Sequence, residues 1–491
     1  MKKCEMQKEQ SYLQRLQQTL REPKLLHLRQ HYHFMGLPGW INDPNGLVYY
    51  KGKYHCFYQY NPFGLTWGQP CWGHAVSEDL LRWTQLPPAL VPDQPYDTNE
   101  QGGCFSGSAL VVGERLYLIY TGVCFRNGKC VQAQCLAWSN DGVNFEKNEK
   151  NPVAYAPEGV DASCFRDPKL WQNDDGTFCF VCGAKLNGDG AALLFRSADL
   201  LQWTYCGVLA ASEGRFGDMW ECPDLFPLGN QYMLCLSPMH CPAYRNVCLI
   251  GYYDRQSGAL REAMPVCPDE GPDYYAAQSF TDANGRRVQL AWANGWDWMP
   301  EFHGWGAVSQ GFWRGWFTLP RVVTPGVDGH PRFRPHPQLQ KLRIWAAEPE
   351  SLVLRAPWTL PDEHETAWEL FLKLSTDETG AQLSLQVGQC LLLELDVRLR
   401  TLRMFCRDEE ESELRPCGEI RLTSGQTPTV HVFLDRCSAE VFADDGRACL
   451  SVKFFDARVQ RPVTLRPASG SVRLQTIRAW ALRHVNEESE S

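Results

Sequence analysis

Between residues 30 and 335 the apolar positions fall in short runs separated by Gly, Asn, Asp and Pro. Examples are GLVYYKGKYHCFYQY at 46–60, GSALVVGERLYLIYTG at 107–122, GTFCFVCGA at 176–184, QYMLCLS at 231–237 and RRVQLAWANG at 286–295. Such runs, rich in β-branched and aromatic residues and bounded by turn formers, predict strands. No long 3.6-residue period interrupts them, so the region reads as all-β. Only the N-terminal segment differs. Leu13, Leu16 and Leu20 recur at helical spacing within 5–22, and Pro23 ends the pattern. Residues 1–24 therefore read as a helical segment lying on the domain.

The β region also repeats. A small polar start followed by an apolar strand appears as Asn42-Asp43-Pro44, Ser106-Gly107-Ser108, Arg166-Asp167-Pro168, Glu221-Cys222-Pro223 and, loosely, Ala277-Gln278-Ser279. The middle residues of the first four advance by 107 − 43 = 64, 167 − 107 = 60 and 222 − 167 = 55. A second element, HAVSEDLLRW at 74–83, LAWSNDGVNF at 136–145, LFRSADLLQW at 194–203 and a weaker GYYDRQSGAL at 251–260, keeps the same pace. Two interleaved repeats of one period predict radial repetition of a four-stranded unit. Five starts predict a five-bladed β-propeller over residues 25–335. In that alignment Asp43 and Asp167 are equivalent, and Glu221 sits one residue earlier, with Asn42, Ser106 and Arg166. The Pro-rich stretch that follows suggests a linker at 336–349. Alternating strands from WELFLKL to SVRLQTIRAWAL then predict a C-terminal β-sandwich over 350–491.

Composition narrows the function. The chain carries 48 basic and 57 acidic residues, a net charge of −9. That balance argues against a nucleic-acid partner, and no run approaches the ~20 apolar residues of a membrane-spanning helix. No apolar h-region follows the N-terminal lysines, so a secretory signal is not expected. A cytoplasmic location follows, with the 21 cysteines as free thiols. Cys179 and Cys182 form a CxxC, but strand alternation sends them to opposite faces, which argues against a metal or redox site. The excess of Trp, 18 residues, hints at a ligand with flat apolar faces.

Asp43, Asp167 and Glu221 stand at repeat starts. In a propeller the starts of the inner strands converge on one end of the central channel. Asp-Pro is by itself a common turn dipeptide, and either aspartate alone would be read as a turn residue. Three acids at matching phase, joined by Arg166 and Asn42, read as a catalytic pocket, and the flanking Trp40, Phe57, Tyr58, Tyr60, Trp67, Trp72, Phe105 and Trp220 fit a sugar. Aromatic faces stack on the C–H faces of sugars. Asp79, Asp141 and Asp199 sit in Ser-x-Asp motifs and read instead as caps of blade turns.

The run Trp40-Ile41-Asn42-Asp43-Pro44-Asn45-Gly46 resembles the signature of glycoside hydrolase family 32, the invertase and fructosidase family. Phe57-Tyr58-Gln59-Tyr60-Asn61-Pro62, Trp72-Gly73-His74-Ala75, Phe105-Ser106-Gly107-Ser108, Phe165-Arg166-Asp167-Pro168 and Trp220-Glu221-Cys222-Pro223-Asp224 resemble its further motifs, in order. The resemblance covers about residues 25–485. It implies a propeller and sandwich, with Asp43 as nucleophile, Glu221 as general acid/base and Asp167 as transition-state stabiliser. Trp40, Asn42, Gln59, Trp67, Phe105, Ser106 and Arg166 match substrate-binding positions. The reaction it implies is retaining hydrolysis of a terminal β-D-fructofuranosyl bond in sucrose, sucrose 6-phosphate or a short fructo-oligosaccharide, with no cofactor or metal. Gln69, Cys71 and Phe317 depart from the family pattern at positions that border its outer pocket. A phosphate on the substrate would call for donors such as His74, Arg126, Lys129, Lys185 or His303. The Trp-rich run at 292–316 is expected to border the pocket. Two rivals stand beside hydrolysis: a fructosyltransferase using the same acids, and a carbohydrate-binding protein without chemistry. The sandwich is expected to brace the propeller, and a homo-oligomer is left open.

Overall fold

The computed structural model describes residues 29–485, apart from 99–100, 300–301, 303, 305–312, 350, 362–366, 376–381, 408–410, 425–426, 457–460 and 469–470. The helix expected over 5–22 lies outside the described residues. Five antiparallel four-stranded sheets follow one another. Blade I comprises Gly39–Tyr50, Lys53–Asn61, Cys71–Ser77 and Thr84–Leu90. Blade II has Gly103–Val112, Arg115–Arg126, Lys129–Ser139 and Glu146–Lys147, with Ala154–Tyr155 added at its edge. Blade III has Val160–Gln172, Phe178–Leu186, Asp189–Ser197 and Thr204–Ala211. Blade IV has Met219–Leu228, Gln231–Met239, Val247–Asp254 and Ala259–Val266. Blade V has Tyr275–Thr281, Arg287–Trp292, Arg321–Thr324 and Arg332–Pro335.

The first strands of the five blades pack against one another in a closed ring, the last against the first. A short strand between the second and third strands of blade V, Trp313–Arg314, pairs in parallel with Gly39–Trp40 of blade I. Central strands lie between two neighbouring blades and are covered on both faces, so Cys71–Ser77 is buried at every residue. This is why those strands read as continuous apolar runs rather than alternations.

The Ser-x-Asp motifs turn the chain between the third and fourth strands. Asp79 Oδ1 accepts from the backbone N–H groups of Leu81 and Arg82, at 2.9 and 2.8 Å. Asp141 does the same for Val143 and Asn144, and Asp199 for Leu201 and Gln202. The serine hydroxyl takes the N–H of Leu80, Gly142 or Leu200. These acids saturate turn amides on the rim.

The last propeller strand ends at Pro335. The stretch 336–349, expected as a linker, instead holds a 3-10 turn, Pro337–Leu342, and a strand, Arg343–Ala347. That strand pairs with Val472–Leu482 and so belongs to the sandwich. One sandwich sheet runs in the order Arg343–Ala347, Val472–Leu482, Ala367–Leu374, Thr429–Leu434, Ser438–Ala443, Ala448–Lys453. The other runs Trp358–Thr359, Val463–Pro467, Gln382–Val387, Leu391–Asp396, Thr401–Cys406, Arg415–Arg421. Their facing apolar residues form one core.

The sandwich is joined to the propeller by a second apolar cluster that includes Phe226, Met233 and Phe333 from one side and Phe433 and Phe442 from the other. Buried charges reinforce it. Arg321 bridges Asp269 at 2.8 Å and Glu440 at 2.6 Å, and Lys453 pairs with Asp273 at 2.9 Å. Among the described residues no helix is long and apolar enough to cross a membrane.

Candidate active site

Each inner strand carries a β-bulge near its start. The pairing to the second strand shifts between Ile41 and Pro44, Phe105 and Gly107, Arg166 and Lys169, Glu221 and Asp224, and Tyr275 and Gln278. Bulges bend a strand and re-aim its side chains, and here five of them turn the strand ends toward the channel mouth. In blade II the turn needs Gly107, where a Cβ would lie 2.0 Å from the Ile119 carbonyl oxygen.

The bulges correct the repeat alignment. Arg166, Glu221 and Tyr275 each occupy the last paired position before the bulge, with Ile41 in blade I. Asp167, Cys222 and Ala276 follow, all at positive φ. The blade I residue at that place is Asn42, so Asp43 is one position beyond Asp167, not its equivalent. The prolines misled the alignment, because the blade I bulge is offset by one residue from Pro44.

Matching positions on adjacent blades touch. Arg166 donates to Glu221 Oε1 through Nε at 3.0 Å and Nη2 at 2.9 Å. Tyr275 donates to Glu221 Oε2 at 2.5 Å. The Cys222 N–H donates to Asp167 Oδ2 at 2.9 Å, and the Asp167 N–H donates to Thr121 Oγ1 at 3.0 Å. Asp43 is held from both sides: Asn42 Nδ2 donates to Oδ1 at 2.9 Å and Ser106 Oγ to Oδ2 at 2.6 Å. The Cys222 thiol lies 3.7 Å from Asp43 Oδ2 and 3.6 Å from Asp167 Oδ2. Burial pushes that thiol well above its usual range, so it stays a donor between the two acids.

Electrostatics follow from this crowding. Burial raises the proton affinity of Asp43; the Ser106 hydroxyl opposes the rise and the Glu221 charge adds to it. Asp167 is raised by burial against the pull of Arg166, with Glu221 and Asp43 adding to it. Burial lowers Arg166, but the charges of Glu221 and Asp167 outweigh it, and the guanidinium is held more firmly protonated than usual.

These groups line a cavity of about 300 Å³ with Asn42, Gln59, Trp67, Phe105, Ser106 and Arg166. Gln59 is fixed by a 2.9 Å bond from Nε2 to the Cys104 carbonyl. Trp67, 38% exposed, stands edge-on to Phe105 at 5.7 Å. Trp40 is the expected binding residue that does not line the cavity. It is buried, donates to Asn42 Oδ1 at 2.9 Å and stacks behind Trp296 at 5.9 Å. Phe57, Tyr58, Tyr60, Trp72 and Trp220 are likewise blade core. The polar tips of the tyrosines and tryptophans are spent inside the fold, as when Trp220 Nε1 donates to the Phe216 carbonyl.

The cavity adds Gln132, Met239, Trp296 and Trp298, and Tyr275 stands at its wall against Glu221. Trp296 and Trp298 come from the Trp-rich run, of which 300–301, 303 and 305–312 lie outside the described residues. Tyr275 carries a signal, its place at the start of the fifth repeat, but the polar triplet Ala277-Gln278-Ser279 lies two residues beyond it. Of the departures from the family pattern, none lines the cavity. Cys71 is buried, with its thiol on the Tyr60 carbonyl at 3.2 Å, and Phe317 stacks on Phe34 at 5.0 Å. His74 is buried against His55 at 3.0 Å, and burial drops its pKa to about 3, so it is no phosphate donor. Arg126 and Lys129 flank a blade II hairpin turn and do not line the cavity; His303 lies outside the described residues. Cys179 and Cys182 enter different core clusters. Among the described residues no group of His, Cys, Asp or Glu is placed to hold a metal ion.

Comparison with known proteins gives the same picture. Residues 33–332 match the glycosyl hydrolases family 32 N-terminal domain and 393–481 the family 32 C-terminal domain. The sucrose-6-phosphate hydrolase of Bacillus subtilis (strain 168) is 36% identical over 442 residues, covering 87% of this chain and 89% of its own. The raffinose invertase of Escherichia coli is 36% identical over 466 residues, covering 92% and 94%. Among solved structures, the Bombyx mori family 32 beta-fructofuranosidase superposes with a TM-score of 0.81 at 30% identity, covering 98% of this chain and 99% of its own. A mutant of that enzyme has been solved in complex with sucrose. The propeller carrying the three carboxylates is thus the part that the N-terminal family model spans, well over half of the residues, and the chain belongs to glycoside hydrolase family 32.

Proposed function

We propose that the protein hydrolyses terminal β-D-fructofuranosyl bonds, with sucrose, sucrose 6-phosphate and short fructo-oligosaccharides as the substrate class, through a covalent fructosyl-enzyme intermediate. The observation that carries the reading is that three carboxyls, each with its own hydrogen-bond partners, line one cavity. Asp43 is the nucleophile on C2 of the fructosyl unit. Its two oxygens accept from Asn42 and Ser106, which favour the anion and aim it. Glu221 protonates the leaving oxygen and then deprotonates the incoming water. Asp167 holds fructose hydroxyls and stabilises the positive charge that develops on the ring. Crowding raises the proton affinity of both Asp43 and Asp167, and in the catalytic cycle Glu221 is the group that hands its proton to the glycosidic oxygen. Asn42, Gln59, Trp67, Phe105, Ser106 and Arg166 contact the sugar. Trp40 acts through Asn42 and Trp296.

Hydrolysis is preferred to transfer because the relatives named above are a sucrose-6-phosphate hydrolase and a raffinose invertase. A binding protein would have no need of paired, oriented Asp43 and Glu221. The described cysteines are free thiols, which suits a reducing compartment, and a cytoplasmic location completes the reading. The test is product analysis at early times with methanol as a competing acceptor. Free fructose together with methyl β-fructofuranoside is expected. An α-fructoside, or no release of fructose, would overturn it.

A further inference from the structure

Trp298 lines the cavity on the Glu221 side, 6.3 Å from the Tyr275 ring. Beyond it the rim carries three charged or ionisable side chains in contact. The His240 ring lies 5.8 Å from Trp298. His240 Nδ1 meets Asp218 Oδ1 at 2.7 Å, and Lys185 Nζ meets Asp218 Oδ2 at 2.6 Å. The three come from different strands: Lys185 from the second strand of blade III, Asp218 from just before the inner strand of blade IV, His240 from just after its second strand. Among the described residues named in the sequence as phosphate donors, Lys185 is the one that reaches this rim.

We propose that Lys185 and His240 form the subsite for a phosphate monoester carried by the departing hexose, with Trp298 as the platform for its ring. The inference rests on the fructosidase reading above, because Glu221 protonates the leaving oxygen and the departing sugar must therefore lie on its side. Asp218 has both oxygens occupied and acts as an organiser. It holds His240 by Nδ1, which turns Nε2 outward, and it uses one of the three donors of Lys185. What faces the solvent is the two remaining ammonium donors of Lys185, the chemistry that recognises phosphate oxygens, with the His240 ring beside them as a second hydrogen-bonding group. The Lys185–Asp218 pair is about one-third exposed; such pairs are weak, so a doubly charged phosphate can take over the donors. A neutral leaving group meets the same Trp298 face without the charge pairing.

The test is kcat/KM for sucrose 6-phosphate and for sucrose, measured on the wild type, Lys185→Gln and His240→Gln. The wild type is expected to prefer the phosphorylated sugar. Each substitution should lower the ratio of the two values by about tenfold, and Lys185→Glu should lower it further. Glucose 6-phosphate should inhibit competitively at lower concentration than glucose, and lose that advantage in Lys185→Gln. An unchanged ratio, or equal losses on both sugars, overturns the proposal. A wild type that cleaves sucrose without preferring the phosphorylated sugar overturns this subsite alone. A wild type that releases fructose from neither overturns the function itself.

Discussion

The Tyr275 hydroxyl donates to Glu221 Oε2 at 2.5 Å, from the blade V position that matches Glu221 in blade IV. Arg166, at the matching place in blade III, holds the other oxygen. Glu221 is thus clamped between equivalent residues of its two neighbours. A general acid must be held within reach of the leaving oxygen at a fixed angle, and the ring of bulges supplies that angle.

Tyr275→Phe keeps the packing and removes the donor. A hydrogen bond to a charged group contributes about 1.5–3 kcal/mol, so kcat/KM for sucrose should fall roughly 10- to 100-fold. A fructoside with a p-nitrophenolate leaving group needs little protonation and should be affected much less. Equal losses on both substrates would show that Tyr275 merely supports the fold.

Asp43→Asn should lower kcat by at least about 10⁴-fold, the scale seen when a nucleophile is removed. The amide is isosteric: its oxygen can accept from Asn42, and the Ser106 hydroxyl can rotate to accept from its NH2. Thermal unfolding should therefore stay within a few degrees of the wild type, and sucrose should still bind, as isothermal titration would report. Substantial residual turnover would remove Asp43 from the nucleophile role.

The propeller was legible because its central strands are buried on both faces and its rim turns repeat Ser-x-Asp, both of which leave marks at a fixed period. The bulges left no such mark. A bulge shifts one residue without changing composition, so Asp43 and Asp167 looked equivalent when their registers differ by one. The aromatic count overstated the pocket for a related reason. Tyr58 and Tyr60 flank Gln59 in sequence and Trp220 precedes Glu221, but strand alternation and the bulges send them into the blades. Arg343–Ala347 was hidden because five residues after a Pro-rich turn show too little alternation to be told from a linker. Trp296 and Trp298 show in the sequence only as part of a Trp-rich run, since which tryptophans of that run face the cavity depends on a loop path that has no period.

The turn acids should matter for stability and not for chemistry. Asp199 Oδ1 takes two backbone N–H groups at 2.9 and 2.8 Å, the service an N-cap performs for a helix. Asp199→Ala should cost about 1 kcal/mol, visible as a lower urea midpoint. The kcat for sucrose should be unchanged. A loss of activity without a loss of stability would contradict the assignment of these acids to the rim.

The junction of propeller and sandwich should depend on pH through His33. Its Nδ1 meets Asp435 Oδ2 at 2.7 Å and its Nε2 meets Glu440 Oε1 at 3.0 Å, with the ring fully enclosed. Burial disfavours the charged imidazolium, but the bonds to the two carboxylates prevail and lift its pKa from 6.5 to about 9. For a group raised on folding, the stabilisation is complete below the unfolded value of about 6.5 and is lost as pH climbs through about 9. The two carboxylates behave oppositely. Burial works against Asp435 and Glu440, yet the His33 bonds and, for Glu440, the Arg321 charge hold both below their usual range. Their contribution is present above about pH 4 and disappears as pH falls. Urea unfolding should therefore show a stability plateau near pH 5–6.5 and a loss on the order of 3 kcal/mol by pH 10. His33→Gln should flatten that alkaline decline and lower stability on the plateau, because it leaves Asp435 and Glu440 buried without their shared cation. A wild type whose stability stays flat between pH 6.5 and 10 would show that His33 is not held as an imidazolium between the two domains.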